Sequence, residues 1–283
     1  MEIRKIKAGD VTKTVARLLM DCNYTIGEDI TRALHSARQS EASPVGREVL
    51  SCLLTNNKIA DEEKIPICQD TGMAVLFIEY GDRVVIEGGS FHEAVEEGVR
   101  TAYEEGYLRK SVVDDPVFDR VNTKDNTPAV VHTDIVPGGC IRFLVGCKGF
   151  GSENMSQIKM LTPSAGIEGV KQFVLDAVRA AGPNPCPPIV VGVGIGGTFE
   201  KAAMLSKKAT LRAIDKRHPD ARYAQLEREL LESINRMGFG PAGLGGNTTA
   251  LGVNVETYPT HIAGLPVAVN ICCHAARHGS AEL

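Results

Sequence analysis

The chain has 283 residues, of which 43% are hydrophobic and 23% are charged, and its formal net charge is -4. This composition is typical of a globular protein with a substantial core, and its charge gives no reason to expect nucleic acid or an anionic membrane as a partner. The charged N-terminus lacks the apolar run of a secretory signal, and no apolar run approaches the ~20 residues that span a bilayer. We therefore expect a cytoplasmic protein.

The beginning of the chain is predicted to be an N-terminal helical segment over residues 1–62. Apolar residues at helical spacing predict three helices, at residues 11–22, 28–38 and 44–54. Ser43 is expected to cap the third helix, because Pro44 suits the first helical position.

Residues 63–283 interleave strand and helix patterns. Strands are predicted at residues 73–79, 83–87, 129–136, 140–147, 189–193, 250–255 and 266–271. Helices are predicted at residues 91–105, 165–181, 199–214 and 221–237. The turn at Gly81-Asp82 predicts that the first two strands form a hairpin. We expect an α/β fold of mixed sheets with covering helices, preceded by the helical segment and forming one structural unit with it.

The eight cysteines do not follow any local metal-binding spacing. They lie at positions 22, 52, 68, 140, 147, 186, 272 and 273. Without a C-x-x-C pair, the zinc-ribbon, thioredoxin and ferredoxin signatures are all absent. A metal site would therefore have to be assembled from cysteines that are far apart in the sequence.

The segment Cys68-Gln69-Asp70-Thr71-Gly72 is the strongest local candidate for a site. It places a soft metal donor, a proton-transfer group and a carboxamide within three residues, in a loop between the helical segment and the first strand. The alternative interpretation is an ordinary turn that contains a buried free cysteine.

Two glycine-rich segments could approach an anion. Residues 148–154 combine Lys148 with glycines whose backbone amides are accessible, although an ordinary loop has the same pattern. Residues 192–197 match G-x-G-x-x-G after an apolar strand. Dinucleotide binding also needs a second strand that ends in an acidic residue ~20 residues later. Asp215 has the right distance but lies at a predicted helix end, which argues against nucleotide binding.

Three further positions have both a functional and a structural interpretation. Cys186 lies between prolines, which suits a rigidly held ligand or a plain strand entry. His261 lies between Pro259 and Pro266 and could be catalytic or merely structural. Adjacent strand residues point to opposite faces, so at most one of Cys272 and Cys273 is expected to bind a given cluster.

Taken together, these segments resemble class I fumarate hydratases, the iron–sulfur-dependent kind, and in particular the alpha subunit of the two-subunit form. The matching segments occur in order from about Ile65 onward, at residues 68–72, 122–128, 148–154, 194–201, 244–251, 259–261 and 273–278.

The resemblance implies a [4Fe–4S] cluster held by Cys68, Cys186 and Cys273, with one iron open to the substrate as a Lewis acid. Cys273 is preferred to Cys272 because residues 273–278 match the family's Cys-x-x-x-Arg-His ending.

The resemblance also implies roles for the other residues. Asp70 and His261 are expected to be catalytic, with Asp70 transferring a proton at the reacting oxygen. Gln69, Arg109 and the Gly151 backbone, together with His261, are expected to hold the substrate carboxylates, a task that suits an arginine fork.

In single-chain members of the family, a C-terminal domain supplies a threonine, further arginines and a lysine to the site. We therefore expect a beta subunit as partner, a dimer of alpha–beta units, and no activity without the partner. The expected reaction is the reversible hydration of fumarate to L-malate. The alternatives are an L-tartrate dehydratase alpha subunit, a non-catalytic iron–sulfur sensing protein and a nucleotide-dependent dehydrogenase.

Overall fold

The computed structural model describes residues 3–283. The chain divides into two compact units. The first unit contains the described residues up to Gly27, together with Asn57–Gly149 and Arg277–Leu283; the second contains Glu28–Asn56 and Phe150–Ala276. Both units combine segments that are distant in the sequence. The division of the chain into residues 1–62 and residues 63–283 that we expect from the sequence remains a prediction.

The secondary structure of residues 3–283 confirms the predicted α/β class. The strands are β1 Arg4–Lys7, β2 Met73–Gly81, β3 Val84–Glu87, β4 Val130–Val136, β5 Ile141–Lys148, β6 Gln157–Leu161, β7 Ile189–Gly196, β8 Ala250–Tyr258, β9 Leu265–Cys272 and β10 His278–Glu282. The helices are α1 Ala8–Tyr24, α2 Glu28–Ser40, α3 Pro44–Glu63, α4 Phe91–Glu105, α5 Phe150–Glu153, α6 Gly166–Ala181, α7 Phe199–Ala209 and α8 Ala221–Asn235. None of the helices within residues 3–283 has both the length and the apolar composition that crossing a membrane requires.

The first unit is built on a four-stranded mixed sheet in the order β10-β5-β2-β4. The central strand β2 is parallel to β4 and antiparallel to β5. Helices α1 and α4 pack together against this sheet, and Leu19, Leu76, Val99 and Phe143 belong to one buried apolar cluster. Burial of such side chains is the main stabilising contribution to the unit.

The predicted hairpin between the first two strands is wrong. Strand β3 pairs in parallel with β1 in a separate two-stranded sheet, while β2 pairs with β4 and β5. The residues that follow β2 form hydrogen bonds with the segment that precedes β5: Gly81 N donates to Cys140 O at 3.0 Å and Arg83 N donates to Gly138 O at 2.9 Å. The chain therefore leaves the large sheet after Gly81.

The second unit is built on a four-stranded sheet in the order β6-β9-β7-β8. Alternate residues of β7, such as Val191 and Val193, face an apolar cluster that includes residues of α6 and α8. On the other face, a Cβ added to Gly192 would lie 2.1 Å from Ser206 O, and one added to Gly194 would lie 2.1 Å from Ala202 O. The glycines of the G-x-G-x-x-G match thus allow α7 to approach β7, which explains the motif without a nucleotide.

Helix α7 ends at Ala209, five residues before the predicted end at residue 214. The buried side chain of Asn254, on β8, donates through Nδ2 to Ala209 O at 3.0 Å and to Arg212 O at 2.7 Å. Carbonyl groups at a helix C-terminus need donors from outside the helix, and Asn254 supplies one.

A buried carboxylate joins the start of α3 to the loop before β8. Glu41 accepts hydrogen bonds from the backbone N–H groups of Ser43, Asn247 and Thr248 at 2.9–3.0 Å. Burial alone would raise the pKa of Glu41, but these hydrogen bonds lower it below its usual value of 4.5. The predicted cap at Ser43 is confirmed, since its Oγ accepts from Gly46 N at 3.1 Å.

Candidate functional site

The loop of residues 68–72, called here the Cys68 loop, is held by buried donors in the first unit. Three side chains that are at most 3% exposed donate hydrogen bonds to its last three carbonyl groups. Arg277 Nη1 donates to Asp70 O at 2.5 Å, and Tyr103 OH donates to Thr71 O at 3.1 Å and to Gly72 O at 2.8 Å. Asn126 Nδ2 also donates to Gly72 O, at 3.2 Å. Such buried and satisfied hydrogen bonds make the loop rigid.

The Asp70 carboxylate makes one hydrogen bond within the loop itself. Its Oδ1 accepts from Gly72 N at 3.0 Å, which closes a turn within the loop. Gly72 has a φ of +77°, and a Cβ there would lie 2.7 Å from the Lys148 backbone, so only glycine fits where the loop enters β2. A Cβ on Gly149 would lie 3.2 Å from both Asp70 Oδ2 and Arg277 Nη2. The absence of a side chain at Gly149 therefore leaves room for the carboxylate.

Arg277 belongs to a buried polar network behind the Cys68 loop. Its Nη1 also donates to Asn23 Oδ1 at 3.1 Å, and Asn23 Nδ2 donates to Leu19 O at 2.9 Å and to Cys147 Sγ at 3.2 Å. Burial raises the pKa of the Cys147 thiol to about 11, against the opposing effects of the Arg277 charge and the Asn23 hydrogen bond. Cys147 is therefore a protonated structural thiol.

The structure brings the predicted site residues of the first unit together. Cys68 and Asp70 are half-buried and Gln69 is exposed, all on the Cys68 loop. Thr71 Oγ1 donates to Arg109 O at 2.9 Å, which places the backbone of Arg109 against the same loop while its side chain is exposed. A thiol, a carboxylate and a carboxamide thus lie on one loop, with the backbone of Arg109 beside it.

The two cysteines predicted in the second unit lie at the same end of its sheet. Val190, near the start of β7, is paired with Cys272 at the end of the antiparallel strand β9. Cys186 precedes β7 by three residues and Cys273 directly follows β9, so both belong to this end. Cys272 is 6% exposed inside the strand, whereas Cys273 is half-buried and Cys186 is exposed. Cys273 is therefore the more accessible of the two adjacent thiols.

Gly151 is positioned near the same end of the second unit's sheet. It lies in the single turn α5, which is held at Glu153 by an ion pair with Lys207 and by Asn270 Nδ2, which donates to Glu153 Oε2 at 3.0 Å. Asn270 is on β9, two residues before Cys272. The α5 turn is therefore fixed beside the last residues of β9.

His261 lies at the opposite end of β9. It is in the connection from β8 to β9, exposed, with its Nδ1 accepting from Ala263 N at 3.2 Å. The strand places His261 roughly 25 Å from the end that carries Cys186 and Cys273, given a rise of about 3.3 Å per residue. The second unit therefore does not bring His261 to its own cysteine pair.

The comparisons with known proteins identify the family. The model of the fumarate hydratase (fumerase) family matches residues 12–282. The chain belongs to this family. The family resemblance predicted from the sequence is thereby confirmed, and the family consists of hydro-lyases of the fumarase and tartrate dehydratase kind.

Individual relatives are also similar over nearly the whole chain. A protein of Methanocaldococcus jannaschii with the provisional name L(+)-tartrate dehydratase subunit alpha is 43% identical over 271 residues, which cover 94% of this chain and 95% of that protein. L(+)-tartrate dehydratase subunit alpha of Escherichia coli strain K12 is 35% identical over 274 residues, which cover 95% of this chain and 89% of that protein.

The donor set of this family member fits a cluster with thiolate ligands. All eight cysteines, which lie within the described residues, are free of disulfide bonds. Within residues 3–283, no three His, Cys, Asp or Glu side chains gather as the ligands of a single metal ion would. Cys68, Cys186 and Cys273 are all at least partly accessible, so a cluster from solution can reach their thiols, in contrast to the buried Cys22 and Cys147.

Sequence reasoning did not identify the side chains that hold the Cys68 loop. Tyr103 has the pattern of a core residue in α4, and Asn23 and Asn126 carry no motif. Arg277 lies in the Cys-x-x-x-Arg-His segment, which was the available signal, but a single sequence does not tell which loop its side chain reaches.

Proposed function

We propose that this chain is the alpha subunit of an iron–sulfur hydro-lyase that interconverts fumarate and L-malate. The observation that carries the proposal is the rigid Cys68 loop, which holds the Asp70 carboxylate two residues from an accessible thiol in a chain of the fumarate hydratase family. Proton transfer by a positioned carboxylate and metal-assisted departure of hydroxide are the two parts of such a dehydration.

Cys68, Cys186 and Cys273 are the proposed ligands of a [4Fe–4S] cluster. When bound, the cluster would supply an open iron as a Lewis acid for the hydroxyl and a carboxylate of the substrate. The accessibility of these three thiols, and the position of two of them at one end of the β7–β9 pair, support this ligand set.

Asp70 is proposed to hold and deliver the proton of the reacting oxygen. Its Oδ1 is engaged by Gly72 N, so the plane of the carboxylate is set before substrate arrives. Preorganisation of this kind is a major source of rate, because no reorientation is needed during the reaction.

Gln69, Arg109 and the Gly151 backbone are the proposed carboxylate-binding groups. The exposed guanidinium of Arg109 can form two parallel hydrogen bonds to one carboxylate. His261 remains a proposed contributor. Because it lies at the far end of β9 from Cys273, it would serve the site of a second alpha subunit, in keeping with the proposed dimer of alpha–beta units.

A second, separate subunit is proposed to complete the site. The relatives from M. jannaschii and E. coli are named as alpha subunits, which supports a beta subunit for this chain as well. The proposed site residues of this chain also lack a group for the proton on carbon. We expect the chain alone to be inactive, and a cytoplasmic setting remains a prediction.

L-tartrate is the second candidate substrate, because the relatives from M. jannaschii and E. coli described above carry the name of tartrate dehydratase alpha subunits, provisionally in the first case. The test is an anaerobically reconstituted alpha–beta complex assayed with fumarate, L-malate, L-tartrate and mesaconate. The highest kcat/KM with fumarate and L-malate supports the proposal, and the highest value with L-tartrate supports the second candidate. Turnover of none of the four would overturn both. A cluster signal in electron paramagnetic resonance that L-malate does not perturb would instead favour a sensing protein.

A further inference from the structure

We propose that Arg277 and Asn23 form a positioning pair that fixes the Asp70 peptide and, through it, the direction of the Asp70 carboxylate. This inference rests on the proposed function, in which Asp70 transfers the proton. Neither residue has a role in the carboxylate binding or the cluster ligation proposed above.

Arg277 is fixed at both its backbone and its side chain. Its carbonyl oxygen accepts from Cys147 N at 3.1 Å, and the next residue begins β10, which pairs with β5. Its guanidinium is 3% exposed and donates from Nη1 to both Asp70 O and Asn23 Oδ1. One nitrogen of the guanidinium therefore connects the Cys68 loop with helix α1.

Asn23 orients the guanidinium. It is fully buried near the end of α1, and its Nδ2 is engaged by Leu19 O and Cys147 Sγ. With its amide nitrogen held on that side, its Oδ1 points to Arg277. Loss of this acceptor would leave a buried donor without its partner and free the guanidinium to move away from Asp70 O.

The consequence is local to Asp70. Tyr103 and Asn126 hold the carbonyl groups of Thr71 and Gly72 independently of Arg277. The rest of the Cys68 loop therefore stays folded when the Arg277–Asn23 pair is lost, while the Asp70 peptide loses its anchor. A displacement of 1 Å at a reacting group can cost about 100-fold in rate.

The test compares Asn23→Leu with the matched control Asn254→Leu in the reconstituted alpha–beta complex. Both asparagines are fully buried and donate through Nδ2 to two acceptors, but Asn254 lies on β8 against the end of α7. We expect Asn23→Leu to lower kcat per bound cluster about 10-fold or more with KM changed less than about 3-fold, since a misplaced group costs rate rather than binding. Asn254→Leu should lower the melting temperature without this change in kcat.

Asn23→Asp separates positioning from packing. It loses the two Nδ2 hydrogen bonds, as Asn23→Leu does, and places a carboxylate oxygen against Leu19 O, but it keeps an acceptor for Arg277 and strengthens that acceptor by charge. Recovery of most of the wild-type kcat in Asn23→Asp supports the proposal. A loss as large as that of Asn23→Leu would overturn it, as would an Asn23→Leu kcat equal to that of Asn254→Leu.

Hydrogen exchange of the Gly72 amide supplies a readout that does not need turnover. This amide donates to Asp70 Oδ1, so its protection reports the position of the carboxylate. We expect faster exchange in Asn23→Leu and wild-type exchange in Asn254→Leu; unchanged exchange in Asn23→Leu contradicts the proposal. If the complex turns over no dicarboxylate but the exchange result is as expected, the proposed function is wrong while the Arg277–Asn23 pair still positions Asp70.

Discussion

Replacing Gly194 with alanine tests why β7 carries glycines. A Cβ at this position would lie 2.1 Å from Ala202 O, 2.6 Å from Ser206 N and 2.9 Å from Leu205 Cβ. Carbon–oxygen contacts begin at about 3.3 Å, so the backbone of α7 would have to move by more than about 1 Å. Overpacking of a closely fitted core costs about 1–3 kcal/mol, and a clash with backbone lies at the upper end of that range.

We expect Gly194→Ala to lower the melting temperature by roughly 6–12 °C, which is about 3 kcal/mol at the 2–4 °C per kcal/mol typical of proteins of this size. Calorimetry or circular dichroism measures the shift. Gly264→Ala is the matched control in the same unit, because the nearest atom to its Cβ would be His261 O at 4.0 Å. A Gly194→Ala variant that melts within about 2 °C of the control would refute the packing explanation.

Three further predictions concern the site and the buried ionisable groups. Asp70→Asn should lower kcat of the reconstituted complex by roughly 100-fold or more at unchanged iron content, the range expected for loss of a general acid–base group, and an active variant would exclude Asp70 as the proton donor. Glu41 has a lowered pKa in the folded state, so its ionised form stabilises the fold at neutral pH, and that contribution is lost as pH falls from about 4.5 through the folded pKa. The difference in melting temperature between the wild-type protein and Glu41→Gln should therefore shrink on acidification, and a constant difference would contradict this assignment. In the native chain, iodoacetamide at about pH 8 should modify the exposed Cys52 and leave Cys147 unmodified, since Cys147 is buried and its pKa is raised. Peptide mass spectrometry measures both, and early labelling of Cys147 would show that its thiol is accessible.

The sequence predicted the existence and type of most elements because periodicity is a local property. The strand patterns over residues 73–79 and 189–193, for example, correspond to β2 and β7. Pairing is not local. The hairpin prediction failed because β2 pairs with β4 along one edge and with β5 along the other, and both strands lie more than 40 residues further along the chain. Short strands such as β1 and β10 were missed for the same reason, since only their distant partners make them strands.

The same holds for the site: features that depend on neighbouring residues could be predicted from the sequence, and features that depend on distant contacts could not. The chemistry of the Cys68 loop followed from residues that are neighbours in the sequence. The choice of Cys273 followed from the resemblance of residues 273–278 to the ending typical of the family. The hydrogen bond from Arg277 to Asp70 spans 207 positions, and the position of Cys186 at the same sheet end as Cys273 follows only from the pairing of β7 with β9. Both depend on tertiary contacts, which one sequence does not encode in any readable spacing.

The central claim, that Cys68, Cys186 and Cys273 hold an iron–sulfur cluster, is tested most directly by iron and sulfide content per chain after anaerobic reconstitution. Serine replaces each cysteine singly, and Cys52→Ser serves as the control because Cys52 is exposed and has no assigned role. We expect about four iron and four sulfide ions per chain in the wild type and in the control, as in a [4Fe–4S] cluster, and a marked loss in each of the three ligand variants. Full cluster content in any of these three variants would contradict the proposed ligand set.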